Sequence, residues 1–511
     1  MAEKHTQIAI IDISSNEVRM YIAENSGGHV NFLETLKYPL NLAHDTFHMG
    51  MIGFDKVNTL CKIIGNFISV TKEYGVSYIK AVATTAIREA ANRDYILDQI
   101  KIKTGLSVKI IDESTEKLYI FKMLSHIMSE KLKNTRTLMV HMGSNSVGLA
   151  LCDGENTDLM QSIKIGSLRI AELFEDMHDN SPQFYLMIEE FVRTYTNDLK
   201  RLLPADIENL VISGKEAGTI AALCGANDFD MLQYTMVEDF RTLYNEVKYK
   251  SISAIASRYD VARIKTETLL PAMCLYGVLL EFSTADRVLS PKVNLGEVMV
   301  FEYFDSTGFG EVNKQFNKNI LESAKKIANK YNIDSGHYLT VADYCSKIFD
   351  KMKKGQGLNR RDKLLLQIAA TLHDCGKYVN ADNHHQHSYN LIKGSGIAGL
   401  SYSEIDIIAN IALYHSRNVP DTSDPNYKDL KSSDKVLVSK LAAILRVADA
   451  LDRSRKQKIT AIDVILTEKQ LLINAKTSRN IDLEQWALKE KGVFFEEVFG
   501  IEPVLQVSEA V

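Results

Sequence analysis

Apolar and polar positions in the first 150 residues alternate between two periods. Ile8–Asp12 is a short apolar run of the buried-strand kind, and Val18–Ala23 follows it across the polar turn Ile13-Ser14-Ser15-Asn16, which is a hairpin pattern. Between Asp55 and Tyr74, Val57, Leu60, Ile63, Ile64, Phe67 and Ile68 recur at spacings of three and four, predicting an amphipathic helix. Tyr78–Thr84 and Ser107–Asp112 read as strands, with a helix starting at Ala86–Glu89. Thr137–Met142 and Gly148–Cys152 predict a second hairpin around Gly143-Ser144-Asn145-Ser146. A long helix is expected from Gln183 to Leu203, stopped by Pro204, before a strand at Leu210–Ser213 that ends in Gly214.

The two strand–polar turn–strand units imply two similar α/β lobes, each opening with a hairpin whose turn faces a cleft. Past Asn313 the strand pattern gives way to helices at Lys314–Lys330, Gly336–Lys353, Arg360–Asp374, His387–Lys393, Ser403–Tyr414 and Lys435–Arg453. Phe304–Gly310 is the expected linker. The expected domains are residues 1–130 and 131–305 (the lobes), 313–455 (helical) and 456–511 (a short α/β tail carrying Trp486).

At 511 residues and 45% hydrophobic content the chain has apolar mass for several cores, which excludes a disordered protein. With 65 acidic against 60 basic residues its net charge is −5, arguing against a non-specific nucleic-acid binder while leaving room for a locally basic pocket. Six dispersed cysteines form no CxxC pair, so reduced, buried thiols are expected rather than a zinc ribbon or disulfide frame. No signal-peptide pattern and no apolar run long enough to span a bilayer is seen, and the expectation is a soluble cytoplasmic protein with no membrane partner.

The helical part carries the sharpest chemistry. His337 lies at a helix start, His373-Asp374 at a helix end before Gly376 and Lys377, His387 at a start, His415 at an end and Asp449 inside a helix. One histidine so placed is ordinarily a core or surface residue; the ordered set is what points to a metal. Imidazole and carboxylate together suit Mn, Fe, Zn or Mg. The pattern resembles that of the HD superfamily of metal-dependent phosphohydrolases. The resemblance implies metal ligands at His337, His373, Asp374, His387, His415 and Asp449, a catalytic Asp374, and Lys377 beside phosphate. His387 is preferred over His384 and His385 because it is taken to open its helix.

The chain as a whole, over residues 8–510, resembles the exopolyphosphatase and guanosine pentaphosphate phosphohydrolase (Ppx/GppA) family. Asp12-Ile13-Ser14-Ser15-Asn16-Glu17-Val18-Arg19 matches a pattern like D-x-G-S-N-S-x-R, and Thr84-Thr85-Ala86-Ile87-Arg88-Glu89-Ala90 one like T-x-A-x-R-x-A. Further matches are Glu116 within Ile111–Lys117, Leu269–Gly277 and Arg446–Arg453. The implied fold is α/β: two actin-like (ASKHA, ribonuclease H-like) lobes, an all-α HD-type domain and an α/β tail.

The implied activity is in-line hydrolysis of a terminal phosphoanhydride of polyphosphate or a phosphorylated guanosine nucleotide. Glu116 would orient or deprotonate water, Arg88 would contact phosphate, and Asp12 would lie near a Mg or Mn ion. Ser15, Asn16, Arg19, Gly143, Ser144, Asn145 and Ser146 would bind phosphate. A homodimer is also implied, though nothing in the residues specifies one. Without the resemblance, Glu116 reads as a solvated helix residue beside Lys117, Arg88 as a partner of Glu89 or Glu113, and Asp12 as a turn residue.

The chain departs from the family in its second loop, where a pattern like D-x-G-G-G-S-T-E stands as His141-Met142-Gly143-Ser144-Asn145-Ser146-Val147-Gly148. Ser14 replaces a glycine, and Glu216 brings negative charge to Ser213–Ala217. Lost glycines and acids weaken phosphate cradling and metal positioning. Three readings follow: a cleft phosphohydrolase of the family, catalysis at the HD-type centre, or a non-catalytic alarmone or nucleotide sensor.

Overall fold

A computed structural model of the chain describes residues 6–128, 134–154, 156–174, 184–229, 232–259, 266–304, 309–397 and 399–509. The chain divides into two compact units, Met1–Phe316 and Asn317–Val511.

In the first unit, β1 (Gln7–Ile13), β2 (Glu17–Ser26), β3 (His29–Pro39), β4 (Tyr78–Ala83) and β5 (Val108–Ile110) form one sheet in the order β3-β2-β1-β4-β5. β1 runs antiparallel to β2 and parallel to β4. The second sheet holds β6 (Arg136–Met142), β7 (Val147–Asp153), β8 (Asn156–Ile163), β9 (Asn209–Gly214), β10 (Asn227–Phe229), β11 (Leu232–Met236) and β12 (Arg287–Pro291), in the order β10-β11-β12-β9-β6-β7-β8. Its part β8-β7-β6-β9-β12 repeats the first sheet in order and strand direction. Register makes the repeat concrete: Asp12 pairs with Arg19 and Val82, and His141 with Gly148 and Ser213. β1 and β6 are apolar runs because both faces of these central strands are buried.

The expected Gln183–Leu203 helix is two pieces, Phe184–Thr196 and Leu199–Leu202, Gln183 lying outside the described residues. Thr194 and Thr196 turn their hydroxyls onto the carbonyls of Phe191 and Val192, and Asn197-Asp198 favour a cap over continuation.

The second unit is helical up to Ala450. The helix Phe309–Lys330 contains the boundary between the units, so the division falls beyond the expected linker, whose residues 305–308 are outside the described ones. Ser335–Met352, Arg360–Leu372, the single turn Cys375–Tyr378, His384–Gly394, Tyr402–Leu413 and Ser432–Ala450 follow. Asn359 with Asp362, and Ser401 with Glu404, form capping boxes that fix two of these starts. The apolar stripe Ile407, Ile408, Ile411 and Leu413 is core, packed with Ile368, Leu441 and Ile444. β13 (Ala461–Leu466), β14 (Gln470–Thr477), the helix Asp482–Phe499 and β15 (Glu502–Glu509) complete the unit, with sheet order β13-β14-β15. Among the described residues no helix is long and apolar enough to cross a membrane.

One glycine holds the second sheet to the loop beside it. Gly214 ends β9 at φ +122°, and a Cβ there would lie 2.3 Å from the Met142 carbonyl oxygen. Gly214→Ala is expected to cost about 2–4 kcal/mol, read as a lower urea midpoint at unchanged m-value; a wild-type midpoint contradicts the assigned backbone.

Candidate active site and metal centre

A cavity of about 820 Å³ opens in the first unit, walled by both hairpins. Asp12 reaches it from the end of β1, Ser15 and Asn16 from the first turn, and Gly143 and Ser144 from the second. Glu116 comes from the first turn of the helix Glu113–Met128, and Lys215 and Glu216 from the start of Lys215–Leu223. Arg19, Lys37, Lys292 and Asn294 add polar groups.

Two carboxyls dominate the electrostatics. Asp12 is 4% exposed, and its Oδ1 has no hydrogen-bond partner among the described residues. Burial, then the neighbouring Glu116, push its pKa up to about 7, against the pull of Arg19. Burial also raises Glu116, with Arg88 and Lys117 opposing. Arg88 Nη1 lies 3.7 Å from Glu116 Oε2. His141 titrates near 3, held neutral by burial and by the charge of Lys117, with Nδ1 3.0 Å from Ser213 Oγ. A neutral ring therefore stands where the repeat of Asp12 would place a second acid.

Of the expected cleft residues, Asp12, Ser15, Asn16, Arg19, Glu116, Gly143 and Ser144 line the cavity. Three do not. Arg88 stands behind Glu116, donating to the Ile111 carbonyl at 2.8 Å and to Thr85 Oγ1 at 3.0 Å. Asn145 turns outward to Arg169 at 3.2 Å, and Ser146 turns beneath the loop to Lys117. Lys37, Lys292 and Asn294 went unread; Asn294 bonds Arg19 from 275 residues away, beyond any local pattern.

In the second unit His337, His373, Asp374, His415 and Asp449 converge. Ligand atoms of His337, His373 and Asp449 lie within 4.8 Å of one another, as do those of His373, Asp374 and His415. The further histidine is His384, not His387. Its Nε2 is 3.3 Å from His415 Nε2 and 3.6 Å from Asp374 Oδ1. The helix opens at His384, three residues earlier than expected, so that His384 and Ser388 share the face turned to the His373-Asp374 turn, where Ser388 bonds Gly376 N and His373 O. His387 packs over Gly376 instead.

Four imidazoles are oriented alike. His373, His384 and His415 each place Nδ1 on the carbonyl three residues earlier, at 2.8, 3.0 and 2.6 Å, and His337 places Nδ1 2.9 Å from Asp452 Oδ2. With Nδ1–H donating, the Nε2 atoms of His373, His384 and His415 present lone pairs to the centre, whereas His337 Nε2 lies 3.1 Å from Asp449 Oδ1 and, although burial opposes it, Asp449 and Asp452 raise its pKa to about 9. His373 Nε2 and Asp374 Oδ1 are buried without a hydrogen-bond partner. Lys377 (2.8 Å) and Arg455 bond the other Asp374 oxygen, and Lys491 bonds Asp449 Oδ2. Although burial opposes ionisation of both carboxyls, the surrounding cations and histidines hold them below the usual range. Asp452, Arg455 and Lys491 were missed; only Asp452, one helical turn beyond Asp449, had a signal in its spacing.

Two repeated sheets around a loop-walled cleft, lined by acidic and basic side chains together, define an α/β protein of two similar lobes. Residues 21–257 match the Ppx/GppA phosphatase family and residues 321–493 match Ppx/GppA phosphatase, domain III. The guanosine-5'-triphosphate,3'-diphosphate pyrophosphatase of Pseudoalteromonas translucida is 21% identical over 88% of this chain and 88% of its own. That of Photobacterium profundum is 19% identical over 94% and 95%. The crystal structure of an exopolyphosphatase from Cytophaga hutchinsonii shares the fold at TM-score 0.52 and 17% identity, covering 58% of this chain and 98% of that one. The Aquifex aeolicus PPX-GPPA enzyme matches at TM-score 0.51 and 21% identity over 58% and 99%. The chain belongs to the Ppx/GppA phosphatase family.

The state of Asp12 makes a stability prediction. Its carboxyl titrates at 3.8 in an unperturbed chain and about 7 in the fold. Between these values the folded chain keeps a proton that the unfolded chain releases, so stability is lost as pH rises through this window. In metal-free buffer at pH 8, Asp12→Asn is expected to unfold later than wild type by on the order of 2–4 kcal/mol, the difference shrinking at pH 5. An equal or lower melting temperature at pH 8 contradicts the burial assigned to Asp12.

Proposed function

We propose that the cleft of the first unit hydrolyses the terminal phosphoanhydride of polyphosphate or of a phosphorylated guanosine nucleotide. The single observation carrying this is Asp12 and Glu116 sharing one field in an 820 Å³ cavity between repeated phosphate-type loops. Family membership supports the reaction class, and the curated relatives' names support the nucleotide.

The Glu116 carboxylate accepts a proton from water as the water oxygen attacks the terminal phosphorus; the bond from that phosphorus to its bridging oxygen breaks, releasing orthophosphate. Arg88 holds Glu116 from behind. Gly143 and Ser144 approach the phosphoryl oxygens with backbone and hydroxyl, and Arg19, tied to Asn294, balances charge at the first turn. The free Oδ1 of buried Asp12 fits a hard divalent cation such as Mg or Mn, which would neutralise phosphate charge when bound. The neutral His141 leaves this cleft one acid short of its repeat, which favours one cation there over two.

The second unit is read as a metal centre of the HD type. The clustered imidazoles and carboxylates, with His373 Nε2 and Asp374 Oδ1 buried and unpartnered, fit Mn, Fe, Zn or Mg, held by His337, His373, Asp374 and Asp449 with His384 and His415 beside them.

The test is phosphate release from polyphosphate and guanosine pentaphosphate with added Mg or Mn. Glu116→Gln is expected to lower kcat by about 10²–10⁴, and Asp374→Ala to leave it within a few-fold of wild type while losing bound metal from the second unit. Loss of turnover in Asp374→Ala with Glu116→Gln still active overturns the proposal.

A further inference from the structure

Lys117 follows Glu116 on the same helix yet faces away from the cavity, 5% exposed beneath the second loop. Its ammonium donates to Ser146 Oγ at 2.5 Å and bonds Ser162 and Glu113, while Ser162 donates to the same Glu113 carboxylate at 2.7 Å. One charge thus joins three elements: the helix bearing Glu116, the loop Gly143–Ser146 and β8. The Lys117 stem crosses Gly148, where a Cβ would stand 2.8 Å from Lys117 Cδ. Gly148 is the residue that replaces the acid closing the second loop in patterns this chain resembles. The buried stem lies in the space that a side chain at 148 would occupy.

We propose that Lys117 is a positioning residue for phosphate transfer, its ammonium fixing the second phosphate loop to the helix of Glu116 in the room that a side chain at 148 would fill. The ammonium tethers the loop from below while Glu113 balances its charge. It also sets the distance between loop and base, which matters steeply for phosphoryl transfer. Glu113, paired with this ammonium, titrates near 2, while burial pulls the Lys117 pKa down against the opposing pull of Glu113. The Lys117 charge also pulls Glu116 toward its ionised form. The inference rests on the cleft being the hydrolytic site.

The experiment compares wild type, Lys117→Met and Ser146→Ala in two readouts: tripolyphosphate binding by calorimetry, and the pH profile of phosphate release. Ser146→Ala keeps the Lys117–Glu113 pair, so it reports on the loop contact even if Lys117→Met does not fold. Both variants are expected to bind tripolyphosphate on the order of tenfold more weakly. The acid limb of the Lys117→Met profile is expected to move to higher pH, which a purely structural lysine would not produce. Unchanged binding in Ser146→Ala, or an unmoved limb in a folded Lys117→Met, overturns the proposal. Glu116→Gln is run in parallel: full activity there defeats the hydrolytic reading, whereas the binding arm still decides the role of Lys117.

Discussion

The cleft of the first unit depends on burying the Asp12 carboxyl at the end of a central strand with one oxygen unpaired, close enough to Glu116 for each charge to disfavour the other. Hydrophobic strands on every side make that burial unavoidable: Ile10, Ile11 and Ile13 are at most 1% exposed. The fold therefore maintains a carboxyl it would be more stable without, the expected arrangement where a site must take up a cation or proton during function. The same helix that brings Glu116 to the cavity brings Lys117 under the loop, where it bonds the loop and β8.

The two halves of the first unit place different groups at equivalent positions. Asp12 and His141 hold equivalent positions, each one residue before the end of its strand and paired in the hairpin with Arg19 and Gly148 respectively. The first half retains an acid, and the second has a neutral imidazole bonded to Ser213. The second unit solves a related problem differently. Its buried aspartates are held ionised by Lys377, Arg455 and Lys491 on one side, while the other side faces four imidazoles of fixed orientation.

Much of this was legible in the sequence where periodicity and burial agree. β1, β2, β6, β7 and the Phe54–Glu73 helix were readable because central strands are apolar throughout and the helix buries one face. β3 was not: most of it is exposed at a sheet edge, so no alternation marks it. His337, His373, Asp374, His415 and Asp449 were named from order and context, but His387 was chosen over His384 from a helix start misplaced by three residues. Ser146 and Asn145 sit in the loop as expected and turn away from the cavity, since one serves Lys117 and the other Arg169. Lys491 and Arg455 reach their aspartates across 42 and 81 residues, a relation that tertiary structure alone reveals.

The pH dependence of kcat/KM for phosphate release tests the central claim most directly. If hydrolysis needs Asp12 and Glu116 ionised in one buried field, kcat/KM measured at limiting Mg falls as pH drops, along an acid limb above the ordinary carboxylate range because burial raises both carboxyls. A profile that stays level down to pH 5 contradicts it, because carboxyls that ionise normally are neither buried together nor gating the reaction.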